Sequence, residues 1–317
     1  MRLATFKIDN GGTTTVGACV NGHYVDLHGL TGGAIPADMV ALLSMGSEGM
    51  EKAGRALDAL GGDPSNREHV YPADDIELCA PVLRPGKIIH TACNFDAHLD
   101  ELTEWKEPEW QSHNWGGFHF EHPTGFLQAP SSVVGTGTRV APPHFTRQLD
   151  YEIEIGIVIG RRAFRVPVDR AMDYVAGYTI FNDLSARDIQ AREHSNKVIL
   201  LGKSFNGSCP FGPHLVTPDE LSDPHQLAMT LRVNGEVRQD SSTAHMHYKT
   251  AELVSWWSNT TLEPGDIITS GSPPGVAAGM ETPKWLVAGD RVDATVAELG
   301  TLTTFIVSAD EADNSLR

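Results

Sequence analysis

Residues 150–160 read Asp150-Tyr151-Glu152-Ile153-Glu154-Ile155-Gly156-Ile157-Val158-Ile159-Gly160. The second half of this stretch is an apolar, β-branched run, the composition of a buried strand. Side chains alternate across a strand, so Glu152 and Glu154, two apart at its start, project from the same face. Two carboxylates side by side against a core repel each other and are costly to strip of water. A divalent cation removes both penalties, because hard cations take carboxylate oxygens. Alone, the segment also reads as a solvated strand end with two exposed glutamates.

Further along, Gly177–Gln190 holds a strand-like run that ends in Asn182-Asp183, followed by a polar turn and a helix-like stretch. Asp183 is placed to be a third metal ligand, although a lone Asp here equally suits a helix N-cap. Arg187 and Gln190 lie three apart, on one helical face, and suit the carboxylate or carbonyl of a bound acid; the alternative is a solvated face. Lys203 sits in Gly202-Lys203-Ser204-Phe205, after Ile199-Leu200-Leu201. An ammonium there balances the acidic cluster or stabilises a developing oxyanion, unless only its stem is covered. In the other direction, His98 and Glu101 share one face of a short helix. A carboxylate beside an imidazole orients it and raises its basicity, which suits activation of water, although surface pairs of this kind are common. Finally, Thr261–Val276 contains a Pro-Gly-Asp turn, a strand and the small-residue loop Ser270-Gly271-Ser272. Such a loop lets backbone N–H groups and the Ser270 or Ser272 hydroxyls approach a ligand oxygen closely, or is an ordinary surface turn.

Around these segments, residues 1–80 read as a small α+β module. It has strands at Leu3–Ile8, Thr14–Val20 and Tyr24–Leu27, with helices at Pro36–Met45 and Gly49–Leu60. Ala80–Gly86, rich in Pro, is a linker by composition. Residues 81–317 read as mostly β, with strands at Lys87–Thr91, Tyr151–Ile159, Val175–Phe181, Leu227–Val233, Asp266–Thr269, Arg291–Val296 and Leu302–Ile306. Helical stretches are expected at Asp96–Glu104, Asp169–Tyr174 and Ala251–Asn259. Residues 105–125, with Trp105, Trp110, Trp115 and three histidines, read as a long loop or lid. His113, His119 and His122 form a second candidate metal cluster, and His245 and His247 a weaker pair.

The chain has 317 residues with a formal net charge of -17, 40% hydrophobic and 21% charged residues. That acidity, with no run of Lys or Arg, argues against a nucleic-acid partner. No apolar run reaches the ~20 residues a membrane-spanning helix needs. The N-terminus lacks a signal-peptide layout, and the four scattered cysteines form no CxxC pair. A cytoplasmic protein is therefore expected. There is no HExxH, phosphate-binding lysine loop or GxSxG elbow, and Gly135-Thr136-Gly137-Thr138 is not a dinucleotide fingerprint.

In order, the blocks PGKII and NFDAH, DYEIEIGIVIG, GYTIFNDLSARDIQ, GKSF and GPHLVT, LRVNGEVRQ, and LEPGDIITSGSPPGV are similar to those of the fumarylacetoacetate hydrolase family, from about Pro81 to Val307. The resemblance implies a mixed, β-rich α+β fold: a β-roll catalytic domain (81–317) behind a small N-terminal domain (1–80), usually as a homodimer. It implies Mg2+ or Mn2+, sometimes Ca2+, held at Glu152, Glu154 and Asp183. It implies substrate contacts from Arg187, Gln190 and the Ser270-Gly271-Ser272 loop, with His98, Glu101 and Lys203 as catalytic groups. The implied reaction is hydrolytic C–C cleavage of a β-diketo acid such as an acylpyruvate. Decarboxylases, tautomerases and isomerases share the scaffold, and a non-catalytic metal-binding homologue is the third reading. The sequence departs from the family pattern at Phe95, where tyrosine is usual, and at Gln128, where lysine is common. It also reads Ser270-Gly271-Ser272-Pro273 for Thr-Gly-Thr-Pro and has an expanded 105–125 stretch.

Overall fold

Every residue of the strand Ile153–Ile159 is buried. Its odd-numbered isoleucines, Ile153, Ile155, Ile157 and Ile159, enter one hydrophobic core, while Val158 enters another on the opposite face. A strand covered on both sides reads as a continuous apolar run, which is what residues 155–159 show. The strand starts at Ile153 rather than at Tyr151. The Glu152 amide donates to the Asn182 side-chain oxygen at 3.1 Å instead of joining the ladder.

The structure is a computed structural model that describes residues 1–8, 12–61, 64–65, 67–111 and 121–312. Among these residues the main sheet runs, edge to edge, Val70–Pro72, His23–Asp26, Thr14–Val20, Arg2–Lys7, Cys209–Val216, Val175–Asn182, Ile153–Ile159, Ile267–Thr269, Ile88–Ala92 and Thr124–Gln128. The N-terminal strands extend this sheet, because Arg2 and Leu3 pair with Val216 and Leu215. A second sheet runs Glu236–Ser242, Ala228–Val233, Arg291–Val296, Gly300–Ile306 and Arg139–Val140. Its Leu231, Ala294 and Leu302 share a core with the odd isoleucines of Ile153–Ile159. Val158, Phe181 and Ile267 share the other core with Leu3, Val16, Met39 and Leu42 of the N-terminal segment. The fold is mixed and sheet-rich, as expected.

The helices fall near their expected places, with shifts that capping explains. The helix expected from Pro36 begins at Met39, because the Asp38 carboxylate accepts from the Ala41 amide at 2.8 Å and sets the start. Asp96–Thr103 and Thr250–Trp257 are helical, and Val168–Tyr174 is a 3-10 segment. Several strands fall outside the sequence reading, among them Val70–Pro72, Arg139–Val140 and Glu236–Ser242. Thr124–Gln128 lies partly in the stretch read as a loop and pairs with Ile88–Ala92. Cys209–Val216 carries Pro210, Gly212 and Pro213, which argue against a central strand. Its register against Val175–Asn182 shifts between Tyr178 and Ile180. No helix among the described residues is long and apolar enough to cross a membrane.

The pairing of Thr124–Gln128 with Ile88–Ala92 depends on Gly125. A Cβ there would stand 1.8 Å from the His90 carbonyl oxygen, a backbone atom that cannot swing aside. Gly125→Ala is expected to part the two strands and cost about 1–3 kcal/mol, measured as a fall in the denaturation midpoint relative to the wild type.

Candidate active site

Four adjacent strands carry expected residues, and one that the sequence did not mark, to one place. Glu154 lies near the start of Ile153–Ile159, and Asp183 follows the end of Val175–Asn182. Ser270-Gly271-Ser272 follows Ile267–Thr269, and His90 stands in Ile88–Ala92. The Asp183 amide donates to the Glu152 carbonyl at 2.9 Å, which fixes the two acidic residues relative to each other. Asp183 does not cap the helix Arg187–Ser195, whose N-cap is Ala186.

Glu152, Glu154 and Asp183 are all buried, as are Lys203 and Arg187. The Lys203 ammonium bridges Glu152 at 2.8 Å and Asp183 at 2.6 Å, and also donates to the Ser185 hydroxyl at 2.6 Å. Arg187 donates to Asp150 at 2.8 Å, Gln190 at 3.0 Å and Glu152 at 2.5 Å. Burial works against the Glu152 charge, but the charges of Arg187 and Lys203 together outweigh it and hold its carboxyl below the usual range. At Glu154, burial first, then the Asp183 and Glu152 charges, outweigh the Thr269 hydroxyl and the Lys203 charge and push the carboxyl well above that range. Burial also raises Asp183, against the charges of His90 and Lys203.

The helix Asp96–Thr103 brings the candidate base to the same cavity. His98 Nδ1 lies 3.1 Å from Glu101 Oε2, and Glu101 Oε1 accepts from the Gly275 amide at 2.9 Å. Because that carboxylate accepts, the Nδ1–H is donated to it. Nε2, 3.7 Å from Glu152 Oε1, is then the lone-pair nitrogen. The cavity has a volume of about 80 Å3 and is lined by His98, Lys203, Arg187, Gln190, Gly271 and Ser272, among others. A larger cavity of about 860 Å3, between Lys7, Glu77 and Gly135–Thr138, lies away from this cluster.

Other expected residues take more structural places. The Ser270 hydroxyl accepts from the Ile155 amide at 2.9 Å and donates to the Gly271 carbonyl at 2.8 Å. The Ser272 hydroxyl accepts from Gln239 at 2.9 Å, and the Gly271 amide donates to Glu154 at 3.2 Å. Trp105 and Trp110 pack together with ring centroids 4.5 Å apart, and Trp110 reaches the cavity. Of the second histidine cluster, His113 and His119 lie outside the described residues, as does Trp115, and His122 stacks on Trp256 at 4.3 Å. His245 faces Ser241, and His247 lies 3.2 Å from Asp96.

Sequence reasoning passed over Asp150 and His90, and noted Gln128 only as a departure from the family pattern without assigning it a role. Asp150 is buried and accepts from Arg187 and from the Ala277 and Ala278 amides at 2.8 and 3.1 Å. Its place two residues before Glu152 was the available signal. Gln128 and His90 lie on strands with no acidic pattern to mark them. Yet His90, Glu154 and Asp183 each offer a ligand atom, all within 4.8 Å of one another.

The donor set suits a divalent cation. Asp150, Glu152, Glu154 and Asp183 are four buried carboxylates facing two buried cations, Arg187 and Lys203, a formal surplus of two negative charges. Ionising all four would leave that charge uncompensated in a dry interior, and a doubly charged ion matches it.

Residues 87–307 match the fumarylacetoacetate (FAA) hydrolase C-terminal family. An oxaloacetate tautomerase of Xenopus laevis, described as mitochondrial, is 35% identical over 310 residues, covering 97% of this chain and 90% of that protein. The fumarylacetoacetate hydrolase of psychrophilic Exiguobacterium antarcticum has a similar structure, with a TM-score of 0.75 at 30% identity over 96% of this chain and 99% of that one. So does maleylpyruvate hydrolase from Sphingobium sp. SYK-6 in complex with manganese(II) ion and pyruvate, with a TM-score of 0.74 at 27% identity over 97% and 99%. Because the match takes in every strand that bears the acidic cluster, this chain belongs to the fumarylacetoacetate hydrolase family.

Proposed function

We propose that this chain is a tautomerase that interconverts the keto and enol forms of a small oxo-diacid of the oxaloacetate class, aided by a divalent cation. One observation carries the reading: an oriented base, His98, faces a cavity of about 80 Å3 lined by the cationic Lys203 and Arg187. Sites for drug-sized ligands run to about 300–1,000 Å3, so this one suits a compact acid. Keto–enol exchange moves one proton between carbon and oxygen and takes up no second reactant. The 35% identity to an oxaloacetate tautomerase supports the same reading.

In this mechanism His98 Nε2 takes a proton from the carbon beside the oxo group. Glu101, held by the Gly275 amide, stabilises the resulting imidazolium and keeps the ring aimed. The imidazolium returns the proton to the enolate oxygen, and the reverse sequence regenerates the keto form. Lys203 places positive charge near the oxygen side of the substrate, and Arg187 keeps Glu152 ionised and fixed. A divalent cation held by Glu152, Glu154 and Asp183 supplies Lewis acidity toward the oxo oxygen. The manganese ion of the related maleylpyruvate hydrolase supports a metal at this site. A homodimer goes with this proposal, supported by Val198, Leu200 and Leu201, which are exposed just after the helix Arg187–Ser195.

Hydrolytic C–C cleavage of an acylpyruvate, the reaction expected from the sequence, is the second reading. It uses the same dyad to activate water, and the likeness to a maleylpyruvate hydrolase supports it. The small cavity and the tautomerase relative favour proton exchange.

With Mg2+ or Mn2+ present, the protein is expected to speed the decay of the oxaloacetate enol absorbance without releasing carbon dioxide. His98→Gln should lower that rate by about 10²–10⁴-fold. An uncatalysed enol decay, alongside release of pyruvate from an acylpyruvate, would favour hydrolysis instead.

The raised Glu154 and Asp183 carboxyls set a pH dependence. Both hold their protons more firmly in the folded chain than in the unfolded one, so without metal their contribution to stability falls as pH rises from the ordinary carboxylate range through their raised folded values. At neutral pH with a chelator, Glu154→Gln should therefore melt higher than the wild type. With Mn2+ added the order should reverse, because the wild type alone keeps the full ligand set.

A further inference from the structure

We infer that His90 is a nitrogen donor to the cation, so that the centre is a mixed nitrogen–oxygen site rather than one of carboxylates alone. This rests on the reading that a cation binds at Glu154 and Asp183. The argument starts at Gln128. Its side-chain NH2 donates to the Lys203 carbonyl, and lies 3.3 Å from Asp183 Oδ1 and 3.3 Å from the Ser208 hydroxyl. A carbonyl and a carboxylate can only accept, so the amide orientation is set and Gln128 Oε1 faces His90. His90 Nε2, at 2.8 Å from that oxygen, is then the donor. The other nitrogen, Nδ1, carries the lone pair.

That lone pair stands among oxygens. Nδ1 lies 3.4 Å from Asp183 Oδ2 and 3.7 Å from Glu154 Oε2, with the Thr269 hydroxyl at 3.1 Å. Once both carboxyls are ionised, their oxygens face a nitrogen lone pair and repel it, and a cation among the three turns that repulsion into coordination. The ring has little freedom to leave. It is buried, stacked on Phe126 at 4.8 Å and met edge-on by Phe181 at 5.2 Å. A ligating histidine usually donates its remote N–H to a carbonyl or carboxylate, which fixes tautomer and orientation. The Gln128 carbonyl fills that role for His90. Lysine, common at this position in the family, has no acceptor and could not.

An imidazole in the donor set shifts preference from Mg2+ toward the later transition metals. The test uses the full chain loaded with Mn2+ and pulsed electron paramagnetic resonance that detects ligand nitrogen. The wild type is expected to show a directly bound 14N coupling that becomes a 15N coupling when histidine is 15N-labelled. The coupling should persist in His98→Gln and vanish in His90→Gln. His90→Gln should also weaken Co2+ binding by about tenfold or more while affecting Mg2+ less. Wild-type protein that binds Mn2+ with no nitrogen coupling overturns the inference, as does a coupling lost in His98→Gln. Both of those measurements stand even if His90→Gln does not fold. A wild type that binds neither Mn2+ nor Co2+ would instead overturn the cation reading on which the inference rests.

Discussion

Negative charge that has nowhere to go organises this molecule. Glu154 and Asp183 are both held in a dry interior; burial and the Asp183 and Glu152 charges make Glu154 harder to ionise, and burial and the Glu152 charge act on Asp183 in the same sense. Their neighbours answer that demand. The Lys203 ammonium, the Gly271 amide and the Gln128 side chain all point toward carboxylate oxygens. Removing one partner from such a cluster leaves a buried charge uncompensated, which is far costlier than losing a surface ion pair. The arrangement is therefore all-or-none in character, and it explains why so many polar side chains are tolerated deep inside a hydrophobic fold.

The main sheet supplies the rigidity. Adjacent strands, distant in sequence, place Glu154, Asp183, His90 and the Gly271 amide within reach of one another. A single small-residue segment then ties the two functional clusters together. The Gly275 amide holds Glu101 of the dyad, while the Ala277 and Ala278 amides hold Asp150, the anchor of Arg187. Gly279 completes that segment, and a Cβ there would stand 2.0 Å from the Glu101 side chain. The orientation of the base and the ionisation of Glu152 thus depend on the same few backbone amides.

Much of this was legible in the amino acids. The alternation of Glu152 and Glu154 with isoleucine announced a strand with both carboxylates on one face, either neutralised by a cation or solvated. The ordered blocks then gave the family and a sheet-rich fold. What escaped notice did so for physical reasons. His90 lies in an apolar strand where a lone histidine carries no periodic signal, and its meaning comes from partners 38, 64 and 93 residues away: Gln128, Glu154 and Asp183. Pro210 and Pro213 disguised a central strand, because proline weakens a ladder locally while long-range packing restores it. Ser270 looked like a ligand contact by composition, but its hydroxyl serves the neighbouring backbone.

The pairing of Arg2 and Leu3 with Val216 and Leu215 has a consequence beyond architecture. It covers the outer flank of Cys209–Val216, the strand next to the one that delivers Asp183. Were the opening segment clipped, that flank would become a raw sheet border of unsatisfied amides and carbonyls. The first few residues thus act as a selvedge, guarding the fabric around the acidic cluster against fraying and against grafting onto another copy.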